Sequence, residues 1–369
     1  MNNNSEYAPR IATHPGIVLQ RELDAREIKQ SDLAKELGMS ASQLNEIVKG
    51  KRPISPELAI LLEAALEIDA PFWNNAQASY NLDVARQQSN VRQQADIITQ
   101  WRIIKDLVPL KFFKKQGVVT GLIADDVRKI FDIFSIDSIE ELQQRLSFGG
   151  SSSIFYKKSG KLKTHIEYVK AWVAYIKYLS QDVKVNTFEF DSQEAIIASL
   201  RKVFLGRNVL ENLSKTLAAN GIKLIIKDKP DHAPIDGAAL WSNDNRPIIG
   251  LTLRYNRIDN LAFTVYHELA HIFLHLRNNT KVSYVDNTVE DATGINSDVE
   301  EQANKFAGDI LIPSKEWRSF IDSSSAFDDA SIKKFAARIG SPAASVRGRL
   351  CHEGLLSYAR PTEINYHVL

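Results

Sequence analysis

Residues 266–275 read YHELAHIFLH. Two histidines stand four apart, and a glutamate follows the first. In a helix, residues four apart are offset by about 40° around the axis and about 6 Å along it. His267 and His271 therefore point the same way, and their imidazoles can converge on one ion. Glu268, one position on, sits beside that face, displaced from the ligand set but able to reach a metal-bound water. In a chain with 8 histidines among 369 residues, chance yields this pattern about once per hundred such chains. The flanks LAFTV (261–265) and IFLHL (272–276) make the helix apolar nearly all round, so it should be buried. Buried histidines and a buried glutamate need partners, and a metal with its water supplies them.

H-E-x-x-H on a helix is the arrangement of zinc peptidases, with the glutamate as general base. Such a site needs a third protein ligand and an open fourth position. The candidate lies in DVEEQANKFAGDILIPS (298–314). Helical spacing aligns Glu300 with Ala303, Asn304 and Ala307, near an apolar stripe that includes Phe306 and Ile310. It aligns Glu301 with Lys305 on a solvent face. Glu300 is therefore favoured over Glu301. The competing reading is a capping box from Ser297 to Glu300, or acids suited to a helix N-terminus. Asn304 could hydrogen-bond a ligand histidine. His275, four past His271, reads as a packed or hydrogen-bonded core histidine. An oxyanion stabiliser is also required, and spacing does not choose among Tyr255, Arg254 and His232.

Upstream, GIKLIIK (221–227), GAALWS (237–242) and PIIGLTL (247–253) have strand character, with turn residues NDNRP between the last two. They predict a small antiparallel sheet feeding the HELAH helix. PIIGLTL could be an edge strand to which an extended peptide adds. These segments resemble the ImmA/IrrE metallopeptidase family. The matching parts run in order: NGIKLIIK, DGAALWSNDNRPIIGLTLRYNRIDNLAFTVYHELAHIFLHL, then EEQANKFAGDILIPS, within residues 215–350. The resemblance implies a gluzincin-like fold, Zn2+ held by His267, His271 and Glu300, and Glu268 as base. HELAH stands where many members carry HELGH, a small residue for a smaller one.

The N-terminal region follows a different plan. HPGIVLQRELDAREI (14–28) opens with Pro15 near a helix start. KQSDLAKELGM (29–39) is a second helix ended by Gly38. SASQLNEIVKG (40–50) is a third, with an S-x-x-Q capping box from Ser40 to Gln43 and Gly50 at its close. KRPISPELAILLEAALEI (51–68) is a basic loop and a fourth helix with Pro56 in its first turn, continued by APFWNNAQASYNLDVARQQ (70–88). That order is the helix-turn-helix plan. Residues 13–86 resemble the Xre-type DNA-binding domain, and more narrowly its HigA-type antitoxin branch. The plan implies that the third helix enters the major groove. Ser40, Ser42, Gln43 and Asn45 are then the base or phosphate readers, and Lys49, Lys51 and Arg52 neutralise phosphates. Residues 1–85 hold 8 Lys+Arg against 12 Asp+Glu, a balance of −4. One copy should attract DNA weakly, so a dimer reading two half-sites of an operator is expected, with a toxin-binding role as the alternative.

Between these modules, residues 95–229 carry 22 Lys+Arg against 15 Asp+Glu. YVKAWVAYIKYLSQ (168–181) and SQEAIIASLRKVF (192–204) are amphipathic helices of a helical connector, expected to pack against the C-terminal module. DDASIKKFAARIGSPAASVRGRL (328–350) has a second helix-turn-helix rhythm whose apolar positions suggest packing on the peptidase core. The expected class is α+β, mostly helical. It comprises a helix-turn-helix domain at 1–86, a helical connector at 87–214, and a gluzincin-like metallopeptidase domain at 215–369 with a small antiparallel sheet and an active-site helix.

One cysteine, Cys351, excludes a disulfide framework and any multi-thiolate zinc ribbon. It reads as a buried small hydrophobe. The polar N-terminus MNNNSEYAPRIATHPG has no apolar core of a secretory signal, and no apolar run reaches the roughly 18 residues of a membrane span. A cytoplasmic protein without membrane partners is expected. Three functions fit: a DNA-binding regulator whose zinc endopeptidase cleaves a regulatory protein such as a repressor or toxin; a non-enzymatic antitoxin or repressor with a structural or sensory zinc site; and self-cleavage in a linker at 87–100. The glutamate base argues for the first, since a purely structural site needs none.

Overall fold

The structure is a computed structural model. It describes residues 12–146, 154–156, 166–233, 235–253, 256–277, 283–286, 297–323 and 327–368. The chain forms two compact units, divided between Thr99 and Gln100.

The first unit is helical: α1 (Pro15–Ala25), α2 (Gln30–Glu36), α3 (Ala41–Val48), α4 (Pro56–Leu66) and α5 (Ala70–Gln87). Its boundaries follow local chemistry. Pro15 and Pro56 start their helices, where a missing N–H costs nothing. Gly38 takes φ +65° in the turn between α2 and α3, a conformation that a Cβ disfavours. The Ser40–Gln43 capping box forms as expected: the Ser40 hydroxyl accepts from the Gln43 N–H at 3.2 Å, and Gln43 Oε1 accepts from the Ser40 N–H at 3.1 Å. The fourth helix does not run on into the fifth, because Glu67 turns left-handed at φ +52°. Leu19, Leu23, Leu33, Leu44, Ile47, Leu62 and Trp73 form the core of this unit.

Helix α6 (Ser89–Leu107) follows at once. The stretch read as a cleavable linker is therefore mostly helix. Its backbone groups are bonded internally and are not presented as an extended substrate.

The second unit contains α7 (Leu110–Lys115), α8 (Ile123–Phe134), α9 (Ile139–Leu146), β1 (Ile154–Tyr156), α10 (Ile166–Leu179), α11 (Gln193–Leu205) and α12 (Val209–Ala219). After these come β2 (Lys223–Ile226), β3 (Gly237–Trp241), β4 (Pro247–Leu251), α13 (Ile258–Ala270), β5 (Ser283–Asp286), α14 (Ser297–Leu311), α15 (Ser314–Ser323), α16 (Asp329–Ile339) and α17 (Ala343–His352). The strands described form one sheet in the order β1-β5-β3-β4-β2.

The class is the mostly helical α+β that the sequence implies, but the sheet is mixed. β3 pairs antiparallel with β4 and β5, while β2–β4 and β1–β5 are parallel. PIIGLTL is accordingly not an edge. β4 lies between β3 and β2, every residue of it is buried, and both rows of its backbone hydrogen bonds are used. The parallel β2–β4 pairing is what covers it, and that pairing joins segments more than 20 residues apart that no local pattern links.

Helices cover both faces of this sheet. On one face, Trp172 and Ile176 of α10 pack so closely on Gly250 that a Cβ there would lie 3.0 Å from each. The middle region from α10 onward therefore belongs to the second unit's packing. On the other face, α13 sits in the largest apolar cluster, with Val265, Leu269 and Ile272 among its fully buried members. The C-terminal pair α16 and α17 adds Ile332, Phe335, Val346 and Leu350 to the same core. Cys351 is buried there as a free thiol.

Candidate active site

The HELAH helix is nearly fully buried, as its flanks imply. His267 is 1 % exposed, and Glu268 and His271 are fully buried. Its neighbour Tyr266 packs against Phe204 at 5.5 Å between rings. Burial pushes the Tyr266 hydroxyl well above its usual pKa, so it stays protonated.

Helix α14 packs on α13 and brings in Glu300, which is 7 % exposed. The Nε2 atoms of His267 and His271 are 3.0 Å apart. Glu300 places Oε2 3.2 Å from His267 Nε2 and Oε1 3.5 Å from His271 Nε2. Among the described residues these three form the one group of His, Cys, Asp or Glu side chains with metal-holding geometry, their ligand atoms all within 4.8 Å of one another. Ligands held about 2.0–2.1 Å from a tetrahedral ion lie roughly 3.3 Å from each other. Two imidazole nitrogens and a carboxylate at these separations fit such an ion. Burial holds the His271 imidazole well below its usual pKa, and the neighbouring His267 and His275 add to the effect. It is neutral at pH 7, as a ligand must be. Glu301 and Lys305 are exposed.

The surrounding side chains fix the rings. Asn304 Oδ1 lies 3.0 Å from His267 Nδ1, which makes Nδ1 the donor and leaves Nε2 for a metal. His275 is half-buried beside His271, with the two Nδ1 atoms 3.1 Å apart. Here the helix departs from the straight α form: the Leu276 N–H bonds to the His271 carbonyl at 2.8 Å, a wider π turn over His271–His275. Such turns recur at functional sites, and spacing gave no sign of this one.

Strand β3 passes directly over the glutamate. A Cβ on Gly237 would lie 2.4 Å from Glu268 Oε1 and 2.8 Å from Thr264 Cγ2. A strand glycine can mark a close approach of this kind, but the run GAALWS alone does not say to what. A cavity of about 1020 Å³ opens beside the cluster, with Asp236, Phe263, Thr264, Glu300, Asn304 and Lys305 in its wall. Of the three oxyanion candidates, Arg254 and Tyr255 lie outside the described residues. His232 is exposed on the loop between β2 and β3, with φ +59°.

In the first unit, Ser42, Lys49, Lys51 and Arg52 are exposed, and Gln43 and Asn45 are half-buried. Ser40 is exposed, but its hydroxyl and Gln43 Oε1 are engaged in the helix cap. Arg52 lies 4.0 Å from Glu46.

Residues 19–73 match the helix-turn-helix family, and residues 221–350 match the IrrE N-terminal-like domain of the peptidase M78 family. The chain joins a helix-turn-helix domain to an IrrE-like peptidase domain. The metal-type cluster lies wholly within the IrrE-like match, and Gly237, Glu268 and Asn304 fall in it as well. Other proteins are similar to part of this chain. Virulence-associated protein A of Dichelobacter nodosus is 44% identical over 71 residues, 19% of this chain and 70% of that protein. The uncharacterised HTH-type transcriptional regulator YddM of Escherichia coli (strain K12) is 26% identical, over 25% of this chain and 99% of its own length. Among solved structures, the Pseudomonas aeruginosa antitoxin HigA with the higBA promoter is 37% identical. It covers 22% of this chain and 90% of that one, with a TM-score of 0.22. No described helix is long and apolar enough to cross a membrane.

Proposed function

We propose that the protein is a DNA-binding, antitoxin-like regulator whose IrrE-like domain is a zinc-dependent endopeptidase of the H-E-x-x-H gluzincin type. Its substrate is a regulatory protein partner, such as a repressor or toxin. The observation that carries this reading is the convergence of His267, His271 and Glu300, with a fully buried Glu268 directly after His267 in the chain. A site with a purely structural ion has no use for a carboxylate buried at such cost.

His267, His271 and Glu300 would hold the ion, and Asn304 keeps His267 in the tautomer that can bind it. A zinc ion there supplies Lewis acidity, polarising the scissile carbonyl and acidifying a water. Glu268 accepts the proton of the attacking water and delivers it to the leaving amine. The substrate's main chain lies in the cavity beside Phe263, Thr264 and Asn304, not along β4. In the first unit, Ser40 and Gln43 hold the start of the recognition helix. That leaves Ser42 and Asn45 to meet base edges or phosphates, and Lys49, Lys51 and Arg52 to meet phosphates, with two copies reading an operator.

Glu268→Gln tests the enzyme directly. The variant should keep its zinc, its fold and its operator binding, and lose cleavage by about 10²- to 10⁴-fold. Metal content is read by mass spectrometry, and the substrate is sought by comparing the proteomes of cells carrying either form. Full regulatory activity in the Gln variant would overturn the enzyme reading in favour of a sensory metal site.

A further inference from the structure

The cavity beside the metal cluster runs to one side of it. On α13 its wall includes Arg257, Asn260, Phe263 and Thr264, all before His267. On α14 it includes Asn304, Gly308, Leu311 and Ile312, all after Glu300. The space therefore leads from the ligands toward the start of α13 and the end of α14. There it meets Ser345, Gly348 and Arg349 of α17.

Gly308 is half-buried in this wall. Glycine weakens a helix, so its place in α14 needs a reason. The other glycines of the described residues either take a left-handed φ or lie so close to a neighbour that a Cβ would touch it. Gly348 is one of these, with Asp259 Oδ2 2.8 Å from where its Cβ would be. Gly308 alone does neither: a Cβ there meets nothing within 4 Å. Its missing side chain permits no close contact. What it leaves is room in the cavity.

That room suits an apolar guest. Leu311 and Ile312 are buried and Phe263 is half-buried. The charges at this end are already matched. Arg257 forks onto Asp259 at 3.0 and 2.6 Å and lies over the Tyr366 ring. Arg349 donates to Glu353 at 2.8 Å and to the Ile312 carbonyl at 3.2 Å. Asp309 accepts from the Ser314 hydroxyl at 2.5 Å. Lys305 is exposed, so water already serves its charge. A charged guest would lose water without gaining a buried counter-ion, whereas an apolar one gains by leaving water.

We propose that the space over Gly308, between Phe263 and Asn260 of α13 and Leu311 and Ile312 of α14, is a specificity pocket for one large apolar side chain of the substrate. Gly308 is eight residues past Glu300, about 12 Å along the helix axis. An extended peptide covers that distance in about three to four residues, at roughly 3.3 Å each. The pocket therefore reads a residue three to four places from the scissile bond. The inference rests on the peptidase reading of the cluster and names what its cavity selects.

The first test uses the full-length, metal-free chain labelled with ¹⁵N-glycine. Gly308 and Gly348 report on the cavity, and Gly38 and Gly50 of the first unit are controls. Millimolar N-acetyl-leucinamide should shift the Gly308 and Gly348 amide signals and leave the controls in place. The α-amides of N-acetyl-aspartate and N-acetyl-lysine should shift them far less. In Gly308→Leu the new side chain fills the space, and Gly348 should stop responding. The second test gives zinc-loaded protein a mixed peptide library, read by mass spectrometry. The wild type should favour a large apolar residue three to four places from the cut. Gly308→Leu should cleave those peptides about 10- to 200-fold less well, the range for a misfit in an apolar pocket, and turn to small residues at that place. Leucine suits a helix better than glycine does, and zinc content equal to wild type checks the fold. Should Gly308→Leu lose its zinc, Gly308→Ala, one methyl larger than wild type, decides through a weaker change of the same kind. An equal response to the three probes, or a cleavage profile unchanged by Gly308→Leu, would overturn the proposal. If the zinc-loaded wild type cuts nothing, the peptidase reading falls, and the probe titration still decides whether this pocket takes an apolar side chain.

Discussion

The two units differ in what part of their buried polar side chains do. In the first, the buried polar side chains among the described residues are His14 and Gln77, and each holds backbone. His14 Nδ1 accepts from the Gly16 N–H at 3.0 Å, and Gln77 Oε1 accepts from the Ile54 N–H at 2.9 Å. In the second, some buried polar groups hold backbone in the same way, as Asp126 does for the N–H groups of Thr120 and Gly121, but His267, Glu268, His271 and Glu300 are buried as well, and three of them converge on one another. A unit whose interior polar groups serve only the fold must do its work on its surface. A unit that buries ionisable groups beyond what the fold needs is doing chemistry inside.

The strongest way to break this contrast is through the first unit's packing. Leu62 is fully buried among Leu19, Leu33, Leu44 and Trp73. Leu62→Ala should cost that unit about 2–5 kcal/mol, the range for a buried leucine truncated to alanine. Operator binding should fail on mild heating while zinc content and cleavage persist. Loss of zinc in step with DNA binding would mean that the second unit's chemistry depends on the first unit's core.

The next effect belongs to the second unit and leaves stability nearly alone. Gly237→Ala drives a methyl group against Glu268 Oε1. The carboxylate has to shift, and displacing a catalytic group by about 1 Å can cost roughly 10²-fold in rate. Zinc affinity should stay within a few-fold of wild type, because the three ligands are not touched. An unchanged rate would show that Glu268 works from a different position.

These two variants also mark what could be read from sequence. The first unit was legible because its rules are local. Pro15, Gly38, the Ser40–Gln43 box and Pro56 each declare a helix end within four residues, and all of them act as read. The cluster was half legible. His267, Glu268 and His271 are neighbours on one helix, and Glu300 and Asn304 share a face of another, so helical phase brought out both groups. What places α14 against α13 is long-range packing, which spacing does not encode. The same limit hid the parallel β2–β4 pairing that buries PIIGLTL and the approach of Gly237 to Glu268. The π turn after His271 was hidden for another reason: a single skipped hydrogen bond leaves the apolar pattern unchanged.

The smallest expected effect is a pH dependence confined to the first unit. His14 caps α1 with a neutral ring nitrogen, sits edge-on to Tyr80 at 4.7 Å, and is 4 % exposed. Burial lowers its pKa below the ordinary value of 6.5. Above that value the ring is neutral in both folded and unfolded chains and contributes no slope. Below it the unfolded chain takes up a proton that the folded unit resists, so stability falls as pH falls from 6.5 toward the lowered folded value. Protonation also puts a hydrogen on Nδ1, turning the cap acceptor into a donor that faces the Gly16 N–H. Asparagine keeps a side-chain acceptor at the N-cap and does not titrate. In thermal scans of the full chain between pH 5 and 7, the transition that Leu62→Ala moves should drop with acid in the wild type and stay flatter in His14→Asn. Equal slopes in the two proteins would place the acid sensitivity elsewhere and leave the first unit's interior polar groups electrostatically silent.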